Sequence, residues 1–259
     1  LLYTLAGLDN PETGWGRRGE SWSFMAALEA LGGEIWFRLG DGDLATHVER
    51  TRRLARGESL SAITDDFRRR LGIATAIVPM SDDPVRTRVR TAEGWLDFQD
   101  YFVRKQCAPG VLELRFEGAA AARPGAAFLA ALAEPGLRAV VICPSNPFIS
   151  IEPILALPGV RAALRAAAAP VVAVSPIIAG RAVKGPAAKM MRELGLEPSA
   201  AAVAARYGDL VDRFVADAAD AAGASDPRWV AAPTLMRTLA DREALARAVL
   251  AAADAARAA

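Results

Sequence analysis

Short apolar runs that break into proline-held polar turns alternate along this chain with stretches of helical periodicity. Ala139–Cys143 is an unbroken apolar run, with the length and β-branched content of a strand buried on both faces, Cys143 included. It stops at Pro144-Ser145-Asn146-Pro147, where two prolines prevent strand or helix from continuing. The same order recurs at Pro170–Ile178, where a buried run gives way to Ser175-Pro176, and at Ile73–Asp83, where Ile73–Val78 gives way to Pro79-Met80-Ser81-Asp82-Asp83. Open α/β sheets bind ligands beyond the carboxyl ends of their parallel strands. Three such ends therefore predict one polar, ligand-lined rim. Taken singly, each turn reads equally well as a βα turn whose Ser or Asp caps the next helix.

Between these runs the period changes to that of a helix. Glu20–Leu31 carries apolar residues at i, i+4 and i+7 and ends at Gly32-Gly33. Asp43 is placed to cap a helix over Leu44–Arg56, and Ser59–Leu71 reads as a further amphipathic helix. Helices are also expected at Ile151–Leu155, Gly159–Ala168, Ala187–Leu194, Ala201–Tyr207 and Arg242–Ala258, with an alanine-rich one before Pro135-Gly136. Residues 86–116 differ: alternation, a turn at Ala92-Glu93-Gly94 and renewed alternation predict an inserted antiparallel subdomain. Arg213–Ala216 is a last short strand. The βα alternation, without an internal repeat, predicts a single three-layer α/β domain with a mainly parallel sheet.

Composition narrows the function classes. The 259 residues carry a net charge of +1 with both signs interspersed, so no basic stripe for nucleic acid is present. The arginines of Arg50–Arg56 and Arg68–Arg70 read as solvated helix faces. Two widely spaced cysteines form no metal spacing and fit a reduced, cytoplasmic chain. No apolar run is long enough to span a membrane. Leu1–Leu8 begins in mid-element without a cap, which leads us to expect a preceding amino-terminal part.

Candidate chemistry is sparse. His47 is the only histidine and follows Asp41 and Asp43; it reads as a base, a phosphate contact or a structural side chain satisfied by a carboxylate. Asp41/Asp43 and Asp82/Asp83 are pairs suited to magnesium or to plain capping. Arg38 and Lys184 stand beside glycine turns and suit anionic ligands. Neither a dinucleotide fingerprint nor a P-loop is present.

Six segments in order resemble one family: RLGDGDLATH (Arg38–His47), PMSDDPVRT (Pro79–Thr87), FQDYFVR (Phe98–Arg104), PSNPFISIEPILALPG (Pro144–Gly159), SPIIAGRAVKGP (Ser175–Pro186) and TLM (Thr234–Met236). The family is that of the 2-phospho-L-lactate transferases of coenzyme F-420 biosynthesis. The resemblance spans essentially the whole chain. It implies a Rossmann-like fold, a homodimer and a magnesium requirement. It also implies transfer of a phospholactyl, phosphoenolpyruvyl or phosphoglyceryl group from a guanosine diphosphate ester to the ribityl hydroxyl of the deazaflavin Fo, with release of GMP. Carried over by position, it puts Arg38, Thr46, His47, Met80, Ser81 and Asp82 on the Fo side, with Met80 and Trp36 or Phe37 as walls. Ser145, Asn146, Ser150, Ser175 and Lys184 fall on the guanine nucleotide side. Asp41 and His47 are weak catalytic candidates.

Two departures accompany the resemblance. Gly42 stands where the family usually carries arginine. The family also begins with a strand, a glycine-rich phosphate loop and an Asp-Leu-Asp-Thr segment, which are expected to precede Leu1. A non-enzymatic nucleotide-sugar-binding regulator of the same fold is the alternative, and Fo binding discriminates the two.

Overall fold

The computed structural model describes residues 1–222 and 224–258. Four parallel strands form the central sheet: Val140–Ile142, Val171–Val174, Arg213–Ala216 and Trp229–Ala231, adjacent in that order. Strand alternation divides their side chains between two cores. Val172, Val174 and Val215 face the long helix Leu239–Arg257, meeting Leu245, Val249, Ala252 and Ala253. Val171, Ala173, Phe214 and Ala216 belong to the opposite core, with Val160 and Leu164, Met190 and Met191, and Val203 and Tyr207 from three short helices. The result is a three-layer α/β arrangement, as the alternation of runs predicts. Thr238 and Asp241 close a capping box at the start of the long helix, so that helix begins where its own sequence dictates.

The antiparallel segment pairs Arg86–Thr91 with Gly94–Asp97 and with Glu113–Glu117. Val89, Tyr101 and Val111 place it against the main core rather than in a core of its own.

Several expectations are corrected. Ile73–Val78 is not a strand: no described segment pairs with it, and Ala74–Ala76 and Val78 are exposed. Its apolar run satisfies the pattern for a buried strand, but a strand exists only through ladder hydrogen bonds to a neighbour. Val140–Ile142 is an edge strand of the described sheet and is not covered on both faces, for Val141 is 40% exposed and Cys143 is exposed rather than core. Trp229–Ala231 is a strand that the sequence pattern did not reveal, being only three residues long. Ile177–Ile178 and Arg181–Ala182 form a small hairpin turning through Ala179-Gly180.

Residues 1–71 form a helical layer: Leu2–Leu5, Ser23–Ala30, Asp41–Ala55 and Leu60–Arg70. It buries few apolar groups, and ion pairs tie its last two helices together. Arg53 bridges Glu58 and Asp66, both at 2.6 Å, and its side chain is only 14% exposed. Arg68 pairs with Asp65 and donates to the Ile73 carbonyl. These two arginines are therefore clamps and not solvated side chains. Ile63 is the one fully buried residue of helix Leu60–Arg70. Ile63→Ala is expected to cost about 2–5 kcal/mol, read as a lower midpoint in urea unfolding.

Candidate functional site

The site is built where two helices cap each other. Glu20 precedes helix Ser23–Ala30, and its carboxylate accepts the backbone N–H groups of Gly42 (2.6 Å) and Asp43 (2.9 Å) at the start of helix Asp41–Ala55. In return Asp41 accepts the N–H groups of Ser23 and Phe24, both at 3.1 Å, and the Ser21 hydroxyl at 2.6 Å. Each carboxylate meets the free donors and positive end of the other helix. These hydrogen bonds hold the Asp41 carboxyl below its usual range, the Ser21 hydroxyl contributing most. Gly40 makes the arrangement possible. A Cβ there would lie 2.3 Å from the Glu20 Cγ. The cap expected of Asp43 is thus supplied by Glu20, because the helix starts three residues earlier, after Gly40.

This reciprocal cap closes one side of a pocket of about 260 Å³ lined by Thr13, Trp15, Arg17, Glu20, Trp22, Arg38 and Asp43, among others. The Arg38 guanidinium lies over the Trp22 ring, 5.1 Å from its centroid, in cation–π geometry. Asp43 accepts the Tyr3 hydroxyl at 2.7 Å, and Thr46 lies 2.8 Å from the same oxygen. Tyr3 has one proton to give, so it donates to Asp43 and accepts from Thr46. Burial, with Asp43 adding to it and Thr46 opposing it, pushes Tyr3 up to about 12. The Asp43 Oδ2 has no hydrogen-bond partner among the described residues, in contrast to Asp41, whose two oxygens are both taken. The pocket therefore offers a flat aromatic wall, a guanidinium, backbone donors already in use and one carboxylate oxygen to spare. A larger cleft of about 680 Å³ lies around Arg53, Glu58 and Asp66, but those charges neutralise one another.

His47 sits beside this pocket with one ring nitrogen hydrogen-bonded and the other facing Asp43. Arg50 donates to Nδ1 at 2.8 Å, which places the proton on Nε2, 3.6 Å from Asp43 Oδ1. Burial, reinforced by Arg50 and opposed by Asp43, lowers its pKa. In this state its one ring lone pair is taken by Arg50, which leaves none free to act as a base.

The remaining predicted residues fall into two groups. Some have side chains committed to structure. Ser81 is buried, donating to the Arg123 carbonyl and accepting from Asp83 N–H. Asp82 accepts the Ser61 N–H near the start of helix Leu60–Arg70. Met80 packs against the main core. Ser175 bonds the Ile177 backbone twice. Asn146 caps Pro147–Ile151 through Phe148 N–H and Ile149 N–H, and its amide donates to the Met190 sulfur. The others, Ser145, Ser150 and Lys184, make no side-chain hydrogen bond among the described residues; Ser150 and Lys184 are exposed. Trp36 and Phe37 contact each other edge-on and do not line the Arg38 pocket; Trp15 and Trp22 do. Glu20, Arg17 and both of those tryptophans escaped the sequence reading. Their shared surroundings of glycine and charged residues gave the only signal. The described residues contain no group of three or more His, Cys, Asp or Glu placed to hold a metal ion, so the expected magnesium has no cage of its own among them.

Two outcomes follow from this geometry. Gly40→Ala is expected to displace Glu20 and weaken the helix start by about 1 kcal/mol, seen as a lower melting temperature. His47 is harder to protonate in the folded chain than in the unfolded one, whose pKa is about 6.5. Its contribution to stability is thus present above that value and lost as pH falls toward its lowered folded value. His47→Gln should flatten the stability–pH curve below about pH 6.5, measured by thermal melts.

Comparison with known proteins gives this geometry a lineage. Residues 2–251 match the family described as 2-phospho-L-lactate transferase CofD. A phosphoenolpyruvate transferase of Kitasatospora aureofaciens is 41% identical over 98% of this chain and 82% of its own length. A 2-phospho-L-lactate transferase of Methanospirillum hungatei is 39% identical over 96% of this chain and 82% of its own. A crystal structure of a Bacillus halodurans protein superposes over 83% of this chain with a TM-score of 0.51 at 14% identity. The chain spans only 63% of that structure's length, and the likeness concerns the fold alone. With a family match over almost its whole length and relatives near 40% identity, the chain belongs to the 2-phospho-L-lactate transferase CofD family.

Proposed function

We propose that this chain transfers a phosphorylated three-carbon acid unit from a guanosine diphosphate ester to the ribityl hydroxyl of the deazaflavin Fo, releasing GMP, in coenzyme F-420 biosynthesis. The observation that carries this reading is the Arg38–Trp22 wall beside Asp43, in a pocket of a size and polarity suited to one end of a flat polar ring system. The names of the relatives support the transfer chemistry: one is a phosphoenolpyruvate transferase, the other a 2-phospho-L-lactate transferase. Both names describe three-carbon phospho-acids, and the choice between them is left open by this reading.

In this reaction the ribityl oxygen forms a bond to the acid-bearing phosphorus. The bond from that phosphorus to the bridging oxygen breaks, and the bridging oxygen leaves with GMP. The hydroxyl proton leaves the nucleophile, and the free Asp43 oxygen is the acceptor in the pocket. Such a displacement depends on alignment and charge neutralisation more than on a covalent intermediate. Arg38 orients the acceptor, held by its stacking on Trp22, and Thr46 and His47 position Asp43 through Tyr3 and directly. Ser145, Ser150 and Lys184 remain the candidates for the nucleotide side. Magnesium is proposed to reach the site with the donor's phosphates, in keeping with its habit of binding through few protein ligands. A homodimer in the cytoplasm is supported by the resemblance alone.

The test is a fluorescence titration with Fo. Arg38→Ala should weaken Fo binding about tenfold, the loss of one charge-assisted contact, and leave GDP binding unchanged. Unchanged Fo affinity would remove Arg38 from the site. Absence of Fo binding by the unaltered chain, with nucleotide-sugar binding retained, would favour the regulatory alternative. Asp43→Asn should lower kcat while leaving KM for Fo near its original value.

A further inference from the structure

Three cations in or near this pocket, Arg17, Arg38 and Lys184, form no ion pair and no side-chain hydrogen bond among the described residues. Nearby Arg50, Arg52 and Arg53 are engaged by a histidine or by carboxylates. Arg17 is half-buried and lines the pocket with Arg38. It stands at the base of the loop that Asp9 and Arg17 close by an antiparallel bridge. Lys184 arrives at the tip of the same loop from the far side of the sequence. Its Nζ lies 3.2 Å from where a Cβ on Gly14 would be. Gly14 has a φ of +69°, a conformation that L side chains rarely adopt, so this approach of lysine to backbone is built into the sequence.

The missing side chain at position 42 completes the arrangement. A Cβ on Gly42 would lie 3.3 Å from Arg17 Nη1 and 3.1 Å from Glu20 Oε1. Glycine therefore lets Arg17 settle against the start of helix Asp41–Ala55. Glu20 and Arg17 flank the same spot without forming an ion pair, while the Glu20 carboxylate accepts the Gly42 and Asp43 N–H groups. A guanidinium without an ion-pair partner suits a planar or tetrahedral oxyanion.

We propose that Arg17 is the anion contact of this pocket and holds the phosphorylated three-carbon acid of the donor. This rests on the transferase reading for the identity of the ligand. The presence of an anion site rests only on the unpaired cations. Arg17 thus determines where the transferred unit sits relative to Arg38 and Asp43.

The experiment uses the intrinsic fluorescence of Trp15 and Trp22, titrated with phosphoenolpyruvate, inorganic phosphate and lactate. The unaltered chain should bind phosphoenolpyruvate saturably, with affinity falling as salt rises. Arg17→Ala should weaken it about tenfold or more, Arg17→Lys should recover part of the loss, and Arg242→Ala on the distant closing helix should change nothing. Competition by phosphate assigns Arg17 to the phosphoryl end, and competition by lactate assigns it to the carboxylate end. Equal affinity in the unaltered chain and Arg17→Ala would overturn the proposal. So would an active enzyme whose KM for the guanosine diphosphate donor is unmoved by Arg17→Ala; that result leaves the transferase reading intact. Arg17-dependent phosphoenolpyruvate binding without any Fo binding would keep the anion site and reject the transferase reading.

Discussion

The site depends on a pair of carboxylates exchanged between two helix starts. Glu20 serves the amides of Gly42 and Asp43, and Asp41 serves those of Ser23 and Phe24. Helices Ser23–Ala30 and Asp41–Ala55 bury almost nothing, Met25 being their only buried residue, so apolar packing alone cannot fix their relative position. Charge-assisted hydrogen bonds to free amide groups do that instead. Everything that lines the pocket hangs from this exchange. Trp22 and Arg38 lie just outside the two helices, Asp43 lies within the first turn of the second, and Arg17 precedes Glu20 by three residues.

This arrangement also explains how acidic residues in one short stretch take different roles. Asp41 and Asp43 are two residues apart, and neither their type nor their spacing separates them. The first points back at the preceding helix and is saturated. The second, in the first turn, is held by Tyr3 and flanked by His47, with one oxygen to spare. His47 is itself held by Arg50, so the only imidazole of the chain acts as a spacer between a cation and a carboxylate. Structure and chemistry thus share a single turn of helix, whose positive end is already met by the Glu20 carboxylate.

The rest of the molecule supplies a rigid frame. The parallel sheet is held between two apolar cores, and the polar groups at its carboxyl end mainly serve turns. Asn146 and Ser175 spend their hydrogen bonds on their own backbone neighbourhoods, which fixes the loops carrying Ser145 and Lys184. Lys184 then crosses to the loop around Gly14, linking the sheet side of the molecule to the helical layer.

Periodicity in the sequence was sufficient for the strands Val171–Val174 and Arg213–Ala216, the antiparallel segment after Arg86 and the helices, because alternation and the 3.6-residue period are local consequences of which face is buried. Ser59 marked its helix start for the same local reason, whereas the Thr238 cap begins the closing helix at Leu239, ahead of the expected Arg242. Six segments taken together, Arg38–His47 and Pro144–Gly159 among them, indicated the family. Tertiary structure decided what a local pattern cannot contain. Ile73–Val78 has the composition of a strand, but pairing requires a partner, and the described chain gives it none. Asn146, Ser175, Ser81 and Asp82 have the chemistry of ligands, yet their neighbours in space use that chemistry first. In the sequence Glu20 only opens a helical stretch, and Gly42 stands where the family usually carries arginine. Only the approach of segments some twenty residues apart, with distances set by Gly40 and Gly42, shows that one holds the site together and the other makes room for Arg17.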